Sequence, residues 1–452
     1  MTGEIARRVS PVVYVSVGLF CLLFAQHPVY AQAEPASGTP LTLEQCIDLA
    51  LAHNPRLAAA AADVRAASAG VDLARSAGGL HASIGGQLAV QGPSPTIDLP
   101  GRPSVQVQPT VDPSLGVTFE LPIDTSGELD ASRDAARAGR DAATARLDQV
   151  RDQVVYEVIR AYLAVLQAET MLAPAEQALA ATQEGARVEQ LRQDEGMATP
   201  LDVRHALSAL RRADERLSTT RTRRESAMAA LRSALGCEIP ADATLVPTFL
   251  APDHVPDPLE SIAAAEARRP EMSVALAEIR RAAADLRSAD AQDRVKLALT
   301  GGATAQSPSL ITEPLSGRIG LGLSWPLLDH GREDALIGQA EARTDQTESA
   351  MAEMRDAIEL QVQQSIVAMA DADVRMQVCD DLVLEAETAA EDARQALRAG
   401  AITKAALLEA EARLADARAA KTLSKLDMSL AYAMYARATG RLTELFLAPT
   451  AP

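Results

Sequence analysis

Aromatic residues are scarce: Phe, Trp and Tyr make up 3% of the 452 residues, a thin supply for the two or three ordinary cores that this length would suggest. Positive charge is short too. There are 43 Lys and Arg against 61 Asp and Glu, a formal charge of −18, and a chain without clustered cations is poorly suited to bind phosphate backbones, so no nucleic-acid partner is expected. Cysteine occurs four times. Cys46, Cys237 and Cys379 lie far apart, which argues against a disulfide framework and for small buried apolar side chains. His53, His81, His205, His254 and His330 show no ligand spacing, and CxxC, HExxH, GxSxG and phosphate-loop patterns are missing, so an enzyme, a metal site or a cofactor is not expected. His330 before Gly331 reads as loop, and the acid-rich stretches read as solvated helix faces. Beyond the first 33 residues no run reaches the roughly 18 apolar residues of a membrane-spanning helix. Entry into a bilayer would have to be by strands.

What the chain does have begins with a leader. Arg7 and Arg8 precede an apolar run from Pro11 to Ala25, and Ala31-Gln32-Ala33 fits small-x-small cleavage, so residues 1–33 are expected to be a signal peptide removed on export. Cys21 follows Phe20, where a lipoprotein leader would carry a small residue, so simple cleavage is expected.

The rest is written twice. At an offset of 215, Ile47 to Gly86 overlays Ile262 to Gly301, with Pro55 on Pro270 and Arg65 on Arg280; at 204, Leu115 to Gly236 overlays Ile319 to Gly440, with Pro122 on Pro326 and Gly196 on Gly400. The first copy therefore carries eleven extra residues between Gly86 and Leu115, a length change suited to a surface loop. The expected division is a first repeat at 34–240, a linker at 241–257, a second repeat at 258–447 and a tail at 448–452.

Each copy reads as helix, strand, loop, strand, long helix, sharp turn, helix. Thr42 and Gln45 have capping-box spacing before the first helix. Alternation places strands at about 80–90 and 115–121 in the first copy and at about 295–301 and 319–325 in the second. One side carries Leu115, Val117, Phe119 and Leu121, the other Gly, Ser, Thr and Glu120, the dyad of a strand between lipid and water. Helical hairpins follow at 128–236 and 332–440. Their first arms recur in Leu147, Val150, Val154, Val158, Tyr162 and Val165, and in Leu336, Met351, Met354, Ile358, Val362, Ile366 and Met369, the spacing of coiled-coil packing. Pro174, opposite Val378, predicts a break in the first copy alone. Gly196 and Gly400 end the outgoing helices, and Thr199 and Thr403 cap the returning ones. Asp202 can complete a capping box, line a constriction, or both.

The fold class is therefore mainly α with membrane β: long coiled-coil helices and four amphipathic strands per chain. Four strands cannot close a barrel, and an open edge is not tolerated in hydrocarbon. Two chains would give eight strands and a filled interior; three give twelve and a lumen, which makes a homotrimer the expected conduit.

The doubled order of elements, the segment Leu43-Glu44-Gln45-Cys46-Ile47-Asp48-Leu49-Ala50-Leu51-Ala52-His53-Asn54-Pro55, the passages Trp325-Pro326-Leu327-Leu328-Asp329-His330-Gly331 and Leu121-Pro122-Ile123, and the Gly-x-x-Thr tips together resemble the TolC family of outer-membrane efflux proteins. The resemblance covers about Leu41 to Leu447. It implies a trimer whose twelve strands form one barrel among outer-membrane lipid, continued by an α-helical barrel across the periplasm. It also implies docking to an inner-membrane pump through a periplasmic adaptor (membrane fusion protein), for efflux or type I secretion. The tips, with Gly196, Thr199, Gly400 and Thr403, would meet the adaptor. Acidic residues of the returning helix would ring the entrance. The family's Leu-Asp-Val-Leu-Asp stretch stands here as Ala405-Ala406-Leu407-Leu408-Glu409, so the first acid is replaced by Ala406 and Glu409 remains; the first copy keeps Leu201-Asp202-Val203. Trp325 reads either as a ring at the membrane interface or as a core aromatic at the strand-to-helix joint. The alternative function, a non-conducting periplasmic adaptor or scaffold, would show one hairpin flanked by β-rich domains and no amphipathic strand pairs.

Overall fold

The computed structural model describes residues 40–447 apart from 91, 93–95, 98–99, 102–104, 107–110, 241–242, 252–255 and 307–312; the leader at 1–33 and the tail at 448–452 lie outside the described residues. In chain order the elements are α1 (Leu43–His53), α2 (Pro55–Ser76), β1 (His81–Val90), β2 (Thr96–Ile97), β3 (Val105–Gln106), β4 (Val111–Ile123), α3 (Glu128–Thr170), α4 (Leu172–Asp194) and α5 (Pro200–Leu235). Then come α6 (Pro258–Arg268), α7 (Pro270–Ala291), β5 (Lys296–Gln306), β6 (Leu315–Ser324), α8 (Arg332–Arg398), α9 (Lys404–Ala438) and α10 (Leu442–Leu447). No described helix is long and apolar enough to cross a membrane. At 67 residues, α8 is about 100 Å long at 1.5 Å per residue.

Each entry helix starts on a chemical signal. At α1 both bonds of the capping box form, Gln45 N–H to Thr42 Oγ1 and Thr42 N–H to Gln45 Oε1. Asn54 ends α1 and caps α2 through Arg56 N–H, while Pro55 takes the first helical position. The turn is fastened sideways: Asn54 Nδ2 donates to the Ala234 carbonyl at 2.8 Å. Gly236, left-handed at φ 73°, closes α5 against this joint; a Cβ there would lie 2.9 Å from Asn54 Cα. The second copy repeats the contact with Gly440, at φ 69°, against Arg268 and Arg269. Where the first joint uses an amide, the second uses the buried Arg269, held by Glu271 and by Gln361 Oε1 at 2.7 Å.

The main core gathers where α1, α3, α5, α9 and α10 meet, around Ile47, Val154, Val158, Tyr162, Leu231 and Leu426. Tyr162 also fixes the strand-like segments before α1 and after α5. Its hydroxyl lies 3.0 Å from the Leu41 carbonyl and 2.6 Å from that of Val246, while Leu41 and Leu245 form a parallel bridge. Burial pushes this phenol up to about 12. Smaller clusters hold α8 against α6, α7 and α9 through Ile358, Val362, Met369 and Ala372. The three- and four-residue spacing of the sequence thus falls on the buried side of both long arms.

Proline breaks the first arm alone. α3 stops at Thr170 and α4 starts at Leu172, so Met171 is the interruption three residues before Pro174. A proline ring clashes with the carbonyl four residues back, here that of Thr170. α8, with Val378 at the matching position, runs through.

Both hairpins turn in the same way. Gly196 (φ 73°) and Gly400 (φ 71°) are left-handed; Met197 N–H bonds the Arg192 carbonyl at 2.7 Å with Gly196 N–H on that of Gln193, and Ala401 N–H bonds the Ala396 carbonyl at 2.8 Å with Gly400 N–H on that of Leu397, the paired bonds of a Schellman turn at each tip. Thr199 then caps α5, and Asp202 answers with Oδ2 at 2.8 Å from Thr199 N–H. Thr403 caps α9 through Ala406 N–H, and Ala406 has nothing to return.

The four long strands form one antiparallel sheet in the order β1-β4-β5-β6; β2 and β3 make a separate two-stranded ribbon within the extra residues of the first loop, which alternation did not reveal. The strands also extend beyond the expected bounds. β4 covers 111–123 instead of 115–121 and β5 covers 296–306 instead of 295–301, while β6 shifts to 315–324 and leaves Trp325 outside. Pro113 and Pro122 fit inside β4 because each sits where that strand has a neighbour on one side only: Pro113 faces Leu88 of β1, and Pro122 faces Ala298 of β5. A missing N–H on the open side removes no ladder bond.

Two predictions follow from this packing. Asp152 on α3 is pushed up to about 6 by burial first and by the charge of Glu271 second, with Asp148 adding to the rise and Thr443 and Arg437 opposing it. Burial would raise Glu271 as well, but the Arg269 hydrogen bonds and charge hold it below the carboxylate range. A carboxyl whose folded pKa is raised costs stability progressively as pH rises from about 4 to about 6, and the full cost, on the order of 2 kcal/mol, persists above that. Asp152→Asn is expected to raise the melting temperature at pH 7.5, with the gain vanishing near pH 4 in melts of the purified protein. Ala406→Asp restores the second capping box and places an anion at a helix N-terminus; α9 should gain about 0.5–1 kcal/mol, read as slower amide hydrogen exchange over residues 404–408.

Candidate functional site

Register decides what each side of the sheet presents. Ile84, Val117, Ala303 and Gly317 share one side in paired positions across the four strands, as do Leu121, Leu299 and Leu321. That side holds Ile84, Leu88, Leu115, Val117, Ile319, Leu321 and Leu323, all exposed. Phe119 belongs to it too, its ring lying over Gly301, where any Cβ would collide with it. Such aromatic cover shields glycine in a sheet. The opposite side is polar or small throughout. Ser83 and Thr118 hydrogen-bond across it at 2.8 Å, and every ionisable residue of the four strands lies there: His81, Asp112, Glu120, Lys296 and Arg318. Within this four-stranded sheet β1 and β6 are the edge strands.

The passages from sheet to long helix are built alike. Asp124 accepts from Gly127 N–H at 2.8 Å and Asp130 N–H at 3.0 Å; Asp329 accepts from Gly331 N–H at 3.1 Å and Glu333 N–H at 2.7 Å. Those backbone bonds hold Asp329 below the carboxylate range, and Gly127 and Gly331 take φ near 80°. His330, at φ 56°, is a loop residue. Asp293, Asp329 and Glu333 offer three oxygens within 4.8 Å, the one metal-like grouping among the described residues. Asp329 is already engaged by backbone N–H groups, and the side-chain hydrogen bond with Asp293 raises Glu333, so helix capping and a carboxyl–carboxyl contact account for the trio. Trp325 follows β6 directly and is exposed, beside the exposed Leu327 and Leu328, an apolar rim at the helical end of the sheet.

At the far end of the helices, the first tip exposes Met197 and Leu201. Hydrogen bonds from the Thr199 hydroxyl and N–H hold Asp202 below the carboxylate range, so its cap and its charge coexist. Glu409 stands one turn into α9, 2.8 Å from Arg413, both exposed. Above the tips, charged pairs join neighbouring helices: Arg394 with Glu411, Arg418 with Glu387, Lys421 with Asp380, and Arg216 with Asp416 at 2.9 Å, the last linking the two returning helices. The inter-helix pairs and Arg318 escaped sequence reasoning, since single side chains along Ala-rich helices carry no spacing signal; Arg318 was legible once β6 was numbered by parity.

Against known proteins, the outer membrane efflux protein family matches residues 46–237 and 261–441. Protein CyaE of Bordetella pertussis is 28% identical over 274 residues, which is 58% of this chain and 56% of that relative, so the match spans little more than half of its length. A membrane protein from Pseudomonas aeruginosa has the same fold at 22% identity and a TM-score of 0.72, covering 90% of this chain and 99% of that one. The Campylobacter jejuni CmeC outer membrane channel reaches a TM-score of 0.75 at 16% identity, covering 88% and 86%. With both halves of its length matched and a fold shared with outer-membrane channels, the chain belongs to the outer membrane efflux protein family.

Proposed function

We propose that three copies of this chain join their four-stranded sheets into a twelve-stranded barrel and act as a passive exit duct across the outer membrane and periplasm. The carrying observation is the sheet, apolar on one side and charged on the other, with β1 and β6 left open. In hydrocarbon each open edge exposes a row of backbone groups that costs several kcal/mol apiece, and β6 of one copy against β1 of the next satisfies both. Three copies leave a lumen, whereas two leave a filled interior. The leader at 1–33 would direct export and be removed.

The helices continue the duct through the periplasm, and the duct supplies no energy. A partner inner-membrane pump, reached through a periplasmic adaptor, would drive either tripartite efflux or type I secretion. The tips built on Gly196, Thr199, Gly400 and Thr403, with Met197 and Leu201 exposed beside them, are the docking surface for that adaptor. Asp202 and Glu409 would ring the entrance, concentrating cations and resisting anions. Asp202 keeps its charge in mild acid because its pKa is lowered. Trp325 would sit in the headgroup layer.

Fractionation and conductance test the reading together. The protein should be recovered from outer membranes as a trimer that dissociates only on heating, and it should carry ion current in planar bilayers. Recovery as a water-soluble periplasmic monomer would overturn the duct in favour of a scaffold. Glu409→Gln should reduce the cation-to-anion permeability ratio by roughly twofold; an unchanged reversal potential would remove Glu409 from the entrance.

A further inference from the structure

The polar side of the sheet carries charges that the hairpin tips do not account for. Nearest the helices, Lys296 is neutralised by Glu128 at 2.6 Å. One step outward, Glu120 stands opposite His81 on β1 and Thr300 on β5. Arg318 lies two residues beyond Gly320, the partner of Thr300, and faces Gly302. Glu120 and Arg318 are both exposed, and among the described residues neither has a hydrogen bond or ion pair. The same-face neighbours of Arg318 are small: Gly302, Ser316 and Gly320. Nothing within the same copy covers its guanidinium. On a lipid-facing side an arginine near the bilayer midplane costs about 2–4 kcal/mol, whereas on the water side it is free to act on passing ions.

Resting on the duct reading, we infer that Glu120 and Arg318 form two stacked bands of opposite charge inside the barrel, and that Arg318 is a specificity-determining residue there. Glu120 and Arg318 stand two residues apart along the strands and two strands apart across the sheet, about 12 Å in all, so an ion between them lies within the screening length of about 8–10 Å of both at physiological salt. An ion therefore feels both bands together. Within these bands three carboxylates and three guanidinium groups cancel in net charge, and Asp112 lies six residues of strand, about 20 Å, beyond the Arg318 level, so the two bands add little preference of their own and leave selectivity to the other acidic groups along the duct. Removing either partner unmasks the other.

Reversal potentials across a KCl gradient in planar bilayers decide the matter. Arg318→Gln should raise the cation-to-anion permeability ratio by roughly twofold or more, Glu120→Gln should lower it comparably, and the double variant should return close to the unsubstituted channel. Conducting channels whose ratio is the same in all four proteins would overturn this inference and leave the duct standing. An unsubstituted protein that carries no current would overturn both. Should a charge variant fail to assemble, labelling decides: a charged, water-borne thiol reagent should modify Ser316→Cys in membranes and leave Ile319→Cys untouched. Equal labelling of the two would overturn the assignment of the polar side to water, and the bands with it.

Discussion

A β-sheet in hydrocarbon has no water to satisfy its edges, and this constraint organises the whole chain. Four strands, joined β1-β4-β5-β6, pair internally and leave an edge on each side. Because side chains alternate, a slip of one residue would turn every apolar group to the polar side. The register instead keeps five ionisable groups on one side and an unbroken apolar surface on the other. Phe119 laid over Gly301 and prolines confined to half-paired positions of β4 show the same rule at single residues.

The helices are fixed at their ends as well as along their lengths. Gly236 and Gly440 bring two returning helices down onto the α1–α2 and α6–α7 joints, and nothing with a Cβ fits at Gly236 without moving backbone. The two joints differ in chemistry. Asn54 satisfies the first with one amide, while the second buries Arg269 and must compensate it with Glu271 and Gln361. A buried charge must be paired, and the pairing brings a second carboxylate, Asp152, into the same environment. Its raised pKa comes from burial first, and the ionic joint adds to it through the charge of Glu271.

Much of this was legible in the sequence because local chemistry and global fold agree. The capping box at Thr42, the glycine turns at 196 and 400, the break near Pro174 and the coiled-coil spacing of Val154, Val158 and Ile358 each follow from rules acting within one or two turns. Strand ends were less legible. Alternation fades at Pro113, Gly301 and Gly317, yet pairing continues there because a neighbouring strand supplies the hydrogen bonds. The ribbon of β2 and β3 is too short to show any period, and Trp325 looked like a strand residue because parity continues one step beyond the last ladder pair. For the tips, the Thr199–Asp202 capping pair was legible from its three-residue spacing, whereas Arg413 as the partner of Glu409 was not, since an exposed acid on a helix can pair or stay free at the same spacing.

Those partners separate two properties that are easily confused. At Asp202 the hydrogen bonds from Thr199 fix the carboxylate and lower its pKa without cancelling its charge. At Glu409 the neighbouring Arg413 offsets part of the charge, although an exposed pair of this kind contributes little to stability. One hairpin therefore ends in a two-sided, charged cap and the other in a one-sided cap with an ion-paired acid one turn further in. In the proposed trimer the six tips would not be equivalent; they would alternate between two kinds. Any partner that grips all of them has to accommodate threefold rather than sixfold symmetry, a requirement to which Ala406 contributes along with Met197 and Leu201 on the first tip and Glu409 on the second.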